Sequence, residues 1–291
     1  MYLMADSISS DSIEPASLLV VGSVAFDNVI TPYAEKERIL GGAASYCSFA
    51  ASYFTKVRMV GVIGNDFEEE HLNRLRSRKI DLEGIQRDDS GPTFFWKGKY
   101  HENFNQRDTL DIQLNVFENF RPDLPDSYKD SRFVLLGNIH PALQMHVLDQ
   151  LEGQTYVLAD TIDLWIEVER DALLALIKKV NLFVINDSEA EELTGESNVI
   201  LAGKKLLQMG PESLIIKKGE HGAILFHEDG MFAIPAFPVT DLRDPTGAGD
   251  SFAGALIGRL ASRDRTDFKA IKEAMIYATC TASLTLSLIH I

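Results

Sequence analysis

The sequence predicts an α/β fold: a three-layer sandwich in which helices cover both faces of a mostly parallel central sheet, with a small β lid. Three observations predict it. Short apolar runs at residues 18–26, 57–63, 133–139, 155–159, 181–185 and 213–217 have the near-continuous hydrophobicity of strands buried on both faces. Stretches with helical spacing lie between them, the alternation that builds parallel sheets. Residues 93–100 break the pattern, alternating aromatic and basic side chains as a half-exposed strand does.

Composition narrows the class. A chain of 291 residues, 45% hydrophobic, can bury a large core, and no repeat or low-complexity linker divides it. A formal net charge of −15 argues against a nucleic-acid partner, which needs a basic face, but not against a small phosphorylated ligand. Cys47 and Cys280 both lie in apolar helical patterns, so a disulfide framework or Cys-based zinc site is not expected and a reducing, cytoplasmic setting fits. No apolar run reaches the ~18 residues of a membrane span. The seven histidines lack metal-ligand spacing. Residues 1–17, rich in Ser and Asp, read as a disordered lead-in without a signal-peptide pattern, and Met4 is a candidate start. Residues 286–291 resemble a translated transposon-sequencing adapter (CTG TCT CTT ATA CAC ATC), which places the natural sequence's interruption near residues 283–285; a genuine helix end is the alternative.

Taken in order, the run at 18–26 ends in Asp27, at the strand end where open α/β sheets place ligand contacts; a turn-forming Asp is the plainer reading. Residues 28–40 form an extended excursion. Gly41-Gly42 then opens a helix with a small apolar face at Ala43, Ala44, Cys47, Ala50, Ala51 and Phe54, offering bare amides to ligand hydroxyls or simply making a tight turn. Asp66 is expected to cap the charged helix that runs to about Lys79. Helices are expected over 143–151 and 166–179. Asp160 and Asn186 end two strands on the ligand-facing edge. Of Glu189, Glu191 and Glu192, one pointing inward has the chemistry to hold Mg²⁺ through water, the others a solvated face. The strand at 213–217 is broken by Gly219 and Gly222 from residues 223–226, and a β hairpin pattern continues to Phe237. Helices over 253–260 and from 268 to about 284 close the chain.

The stretch Asp244-Pro245-Thr246-Gly247-Ala248-Gly249-Asp250 carries most of the chemistry. A Gly-Ala-Gly turn at a helix start lets the backbone approach a ligand, and first-turn amides at the positive end of the helix dipole suit a phosphate or oxyanion. A carboxylate at Asp250 repels a phosphate, so its useful role is to take a proton from an attacking hydroxyl; an ordinary cap is the alternative. The stretch is neither a Walker A loop, lacking Lys-Ser/Thr after its glycines, nor an early-strand dinucleotide fingerprint.

The fixed order of Asp27, Gly41-Gly42-Ala43-Ala44, Asn186-Asp187-Ser188-Glu189, Lys218-Gly219-Glu220-His221-Gly222 and the 244–250 block resembles the ribokinase, or PfkB, family of carbohydrate kinases over about residues 18–285. The resemblance implies a ribokinase-like sandwich and ATP-dependent phosphorylation of a sugar, nucleoside or related alcohol. By position, Asp250 matches the family's catalytic base and Gly247, Ala248 and Gly249 its anion hole. Asp27, Gly41 and Gly42 match substrate-gripping residues. Asn186 and Glu189 match the motif near Mg²⁺ and the triphosphate, and Gly219 and Gly222 a nucleotide-side loop. Asp244 and Thr246 match a monovalent-cation site that takes K⁺ in many members. Residues 28–40 and 92–105 match the family's lid, whose closure excludes water and through which a homodimer is implied.

Three residues depart from the pattern. Tyr46 stands where an Asn near the substrate is usual, Pro245 stiffens the turn, and Lys217 replaces a Thr that meets the nucleotide, which puts the base or ribose contacts in question. Two other readings share the fold. A phosphosugar kinase of the phosphofructokinase branch needs cations for an existing phosphate, with Lys97, Lys99 and Arg107 as candidates. A binding regulator without turnover is disfavoured by the intact Asp250.

Overall fold

The computed structural model describes residues 17–102, 104 and 106–287, so the expected lead-in at 1–16 and the tail residues 288–291 lie outside the described residues. The chain begins with β1 (Leu18–Val21), β2 (Ala25–Ile30), β3 (Glu35–Gly41), α1 (Ala43–Ala51), β4 (Val57–Gly64), α2 (Glu69–Ser77) and β5 (Ile80–Asp88). Then come β6 (Phe94–Tyr100), β7 (Arg107–Gln113), β8 (Phe133–Leu136), α3 (Pro141–Leu148), β9 (Tyr156–Asp160), α4 (Asp163–Val168) and α5 (Arg170–Ile177). The remainder is β10 (Leu182–Asn186), α6 (Asp187–Thr194), α7 (Val199–Leu207), β11 (Ser213–Lys217), β12 (Ala223–His227), β13 (Gly230–Ile234), α8 (Ala248–Ala261) and α9 (Phe268–Leu286).

Nine strands form the main sheet in the order β13-β12-β11-β10-β9-β8-β1-β4-β5, parallel throughout except for β12 and β13. Strand alternation sends successive side chains to opposite faces. Leu18 and Val20 therefore join a core with α1, α8 and α9, while Leu19 and Val21 join a second core with α3, α5, α6 and α7. The two cores are the reason that the central strands read as unbroken apolar runs. The expected three-layer sandwich is what the chain forms.

The lid is a separate sheet, β3-β2-β6-β7. It corrects the reading of residues 18–26 as one strand. The chain leaves the main sheet after Val21, and Ser23 becomes a bracket for the next helix: its Oγ accepts the Ala43 amide (3.0 Å) and its carbonyl the Ala44 amide (2.9 Å). Asp27 thus lies within a lid strand, opposite Ile39 and Trp96, and not at the end of a core strand. The lid also extends past the expected limit at 105, because β7 runs to Gln113 with every residue exposed.

Other differences have local causes. Asp66 does not cap α2, whose N-cap is Glu68; its carboxylate instead accepts the Thr93 amide and hydroxyl (both 2.7 Å) and pairs with Arg38 (3.2 Å), pinning the lid to the main sheet. The strand expected to reach residue 139 stops at Leu136, and Pro141 starts α3 early with the His140 side chain as cap. The helix expected over 166–179 is two, broken at Glu169 (φ −132°). The hairpin ends at Ile234 rather than Phe237. Leu286, assigned by sequence to the tail, ends α9, and its carbonyl accepts the Arg243 (2.8 Å) and Asp244 (3.3 Å) amides.

The position of α8 depends on its close approach to α1. A Cβ built on Gly254 would fall 2.3 Å from the Cys47 carbonyl oxygen. Gly254→Ala is therefore expected to lower unfolding stability by about 1–3 kcal/mol, although alanine favours helix by about 1 kcal/mol. Urea unfolding measures it, and a stabilised variant contradicts this packing.

Candidate active site

The N-terminus of α8 is the centre of the site. Gly247 sits at φ +72°, a left-handed conformation that other residues adopt only with strain, and the Tyr46 ring occupies the space a Cβ would need, 2.2 Å away. The first helical bond runs from the Ser251 amide to the Gly247 carbonyl (2.8 Å). The three amides expected to face an anion are not equivalent. That of Ala248 is donated to the Pro245 carbonyl (3.2 Å), whereas those of Gly247, Gly249 and Asp250 find no acceptor among the described residues. Two of the three expected amides, those of Gly247 and Gly249, are thus free to face a ligand, and that of Asp250 joins them in place of Ala248.

Asp250 lies between two groups of charges. On the main-sheet side, β9, β10 and β11 end side by side at Asp160, Asn186 and Lys217. The Lys217 ammonium binds both oxygens of Asp160 (3.0 and 3.3 Å). Burial works against the Lys217 charge, but the carboxylates of Asp160, Glu189 and Asp250 outweigh it and raise its pKa. Gln144 secures this edge by donating to the Gly137 (2.9 Å) and Asp160 (3.2 Å) carbonyls. Asn186 and Glu189 close a reciprocal cap on α6: the Asn186 Oδ1 accepts the Glu189 amide (2.8 Å) and the Glu189 Oε2 accepts the Asn186 amide (2.9 Å). Glu189 is the inward-pointing acid, and burial pushes its pKa up to about 7; Glu191 and Glu192 face solvent.

On the lid side, Asp27 is 4% exposed and presses against Gly41, where a Cβ would stand 2.0 Å from its Oδ2. Gly41 therefore makes room for the Asp27 carboxylate. Burial first, then the charges of Asp244 and Asp250, push the Asp27 pKa up to about 8. Gly42 (φ +90°) caps α1 without a side-chain bond. Tyr46 is buried beneath the 247 turn, its hydroxyl without a partner among the described residues, so it acts as a wedge under the turn and touches no open space. The Asp244 Oδ1 accepts the Thr246 amide (2.8 Å), while its Oδ2 is buried without a partner among the described residues. The Thr246 hydroxyl donates to Tyr100 of the lid (3.1 Å). Gly219 (φ +51°) and Gly222 (φ +86°) shape the turn beyond Lys217.

Asp250 itself is raised to about 6 by burial first and the Asp160 carboxylate second, with Lys217 and Arg107 opposing. Its carbonyl accepts the Cys47 thiol (3.3 Å). Arg107, at the start of β7, is an electrostatic neighbour of Asp27, Asp250 and Tyr100. Sequence reasoning weighed Arg107 only for a phosphosugar, and it missed the Lys217–Asp160 pair. The signal for that pair was available: both residues end strands of one parallel sheet. Lys97, a candidate for an existing phosphate, instead pairs with Glu35 (3.7 Å), and Lys99 is exposed.

Comparison with known proteins gives the family and the fold. The family described as pfkB family carbohydrate kinase matches residues 15–288, and the chain belongs to it. A cytidine kinase from Thermococcus kodakarensis is 31% identical over 248 residues, 82% of this chain and 87% of that protein. Among solved structures, the fold matches a Burkholderia thailandensis nucleoside kinase in complex with inosine, at 22% identity and TM-score 0.80 over 94% of this chain and 92% of that one. It also matches an E. coli protein solved with ATP and Mg²⁺, at 18% identity and TM-score 0.79 over 94% of each. The chain is thus an enzyme of the ribokinase-like carbohydrate and nucleoside kinases. No helix among the described residues is long and apolar enough to cross a membrane.

The buried charge of Asp27 has a measurable consequence. Its carboxyl ionises near 3.8 in the unfolded chain but near 8 in the folded one, so its contribution to stability is present below pH 3.8 and lost as pH rises toward 8. Asp27→Asn, neutral at every pH, is expected to raise the melting temperature at pH 7–8, with the gain fading toward pH 4, while weakening acceptor binding. An unchanged melting temperature at neutral pH contradicts the burial of that charge.

Proposed function

We propose that the chain transfers the γ-phosphoryl group of ATP to a hydroxyl of a nucleoside, sugar or related small alcohol. The observation that carries this reading is Asp250: a half-buried carboxylate raised to about 6, in the first turn of α8 beside amides without acceptors among the described residues and an electrostatic neighbour of Asp27 of the lid. The acceptor hydroxyl oxygen bonds to the γ-phosphorus as the bond to the bridging β,γ-oxygen breaks. The hydroxyl proton passes to Asp250, and ADP leaves. A base near pH 6 holds little charge back from the proton yet is ionised at neutral pH, which suits general-base work. The amides of Gly247 and Gly249 are placed to receive the negative charge on the transferring group.

Asp27 is suited to hold acceptor hydroxyls, with Gly41 and Gly42 leaving the room. The chain's fit to a nucleotide rests on the amides of Gly247, Gly249 and Asp250, which have no acceptor among the described residues, and on Glu189, whose buried carboxylate gains from a nearby cation. When bound, Mg²⁺ neutralises and orients the β- and γ-phosphates. Asn186 and Glu189 are the residues to hold it through water, with Gly219 and Gly222 on the nucleotide side. The unpartnered Asp244 Oδ2 suits a monovalent cation such as K⁺, beside Thr246. The nucleoside class stands first because the 31% identical relative is a cytidine kinase. A homodimer would use the exposed β7 edge, where Leu110 and Ile112 are 51% and 53% exposed.

Asp250→Asn tests the assignment. It is expected to lower kcat by about 10²-fold or more with ATP binding changed little. In the parent, kcat/KM for the acceptor is expected to fall as pH drops below about 6, because protonated Asp250 cannot accept the hydroxyl proton. Near-normal turnover in the variant, or a rate flat through pH 5, removes Asp250 from the role of base.

A further inference from the structure

The Lys217–Asp160 pair is electrostatically odd where it stands. A Cβ on Gly249 would lie 3.2 Å from the Lys217 Nζ, so this ammonium rests against the first turn of α8. That is the positive end of the helix dipole, where a cation is disfavoured and an anion favoured. A buried ion pair is also weak as a stabilising device, since desolvation offsets most of the attraction. The surrounding carboxylates hold the Lys217 charge in place against the unfavourable helix dipole, so the ammonium stands charged beside amides suited to an anion.

Hydrogen bonding points the same way. An ammonium carries three donors. Asp160 takes two at most, through its two oxygens, and no other acceptor meets Lys217 among the described residues. The Lys217 side chain is 19% exposed against 7% for Asp160, so the ammonium is the more open end of the pair. Around it stand the carboxylates of Glu189, Asp160 and Asp250, with Arg107 of the lid as a second cation near Asp250. Lys217 offsets part of the repulsion that a triphosphate entering toward the 247–250 turn meets from these carboxylates.

We propose that Lys217 is a phosphate-contacting residue, with its ammonium held by Asp160 against the α8 N-terminus so that it donates to the terminal phosphate of the bound nucleotide. Asp160 is then a positioning residue, fixing the ammonium without touching the nucleotide. This rests on the phosphotransfer reading above, and it replaces the expectation that Lys217 alters base or ribose contacts. The lysine side chain reaches the helix start, whereas a residue reading the base would point outward from the strand end.

The test compares three ligands in the presence of Mg²⁺: the non-hydrolysable β,γ-methylene analogue of ATP, ADP and adenosine. Their dissociation constants are measured by calorimetry for the parent, Lys217→Met and Lys217→Arg. Because Lys217→Met strands the Asp160 charge, the double variant K217M/D160N, which removes both charges, accompanies it. The methionine variants are expected to weaken the ATP analogue about tenfold to a hundredfold, with ADP affected less and adenosine unchanged, and the arginine variant to recover part of the loss. Turnover, where an acceptor is in hand, is expected to fall about 10²-fold. Equal losses for all three ligands would place Lys217 at the base or ribose, and unchanged affinities would leave it a structural pair; either result overturns the proposal. The affinity ratio is independent of the acceptor. A parent that binds nucleotide but phosphorylates nothing would refute the kinase reading while the ratio still decides Lys217. A parent that binds neither ATP analogue nor ADP refutes both.

Discussion

The site depends on holding ionisable groups wholly or partly out of water around the start of α8. Asp250 and Asp27 are both raised by burial first, and then by the carboxylate of Asp160 for Asp250 and those of Asp244 and Asp250 for Asp27. Such an arrangement is unfavourable by itself, and rigid packing has to enforce it. The contact of α8 with α1 through Gly254 and Gly258, and the Tyr46 ring wedged under Gly247, leave the first turn of α8 little freedom to retreat toward solvent. A close-packed interior transmits that constraint, because neighbouring elements cannot relax independently. The chemistry proposed for Asp250 follows from it: a carboxylate in water at its ordinary pKa is a poor proton acceptor, and desolvation makes it a better one.

Two networks meet at this turn. One is fixed to the main sheet, with Gln144 tying the ends of β8 and β9, Lys217 bound to Asp160, and the Asn186–Glu189 cap opening α6. The other belongs to the lid, with Asp27 on β2, Tyr100 on β6 and Arg107 on β7, linked to the turn by the bond from Thr246 to Tyr100. The division suits a two-substrate reaction. In the proposed reaction the nucleotide would lie over the strand ends of the main sheet, and the acceptor against a sheet tied to the body by contacts such as Asp66 to Thr93 and Arg38.

Much of this was legible from residues. The alternation of apolar runs with helical spacing specifies the main sheet, because strands buried on both faces must be apolar throughout. The 244–250 block pointed to a candidate anion site because it places bare amides and a carboxylate in one turn. The errors trace to places where local pattern cannot distinguish environments. Residues 18–26 cross from one sheet to another, yet both sheets bury their side chains there, so hydrophobicity shows no break and Asp27 was placed on the wrong sheet. β7 is exposed on every residue and carries no periodic signal. Whether the Ala248 amide is engaged depends on the carbonyl of Pro245, a matter of backbone geometry that composition does not encode. The Lys217–Asp160 pair joins residues 57 positions apart and needs the strand register to be seen.

The most direct test of phosphotransfer at this site is a coupled ADP-release assay with Mg²⁺, K⁺ and ATP. The acceptor panel should run through nucleosides, pentoses, hexoses, sugar acids and sugar phosphates. Acceptor-dependent ADP release, matched by an equal amount of phosphorylated product, is the expected result, with nucleosides first. Nucleotide binding with no release above the acceptor-free rate across the whole panel would contradict the reading of Asp250 as the base of a kinase.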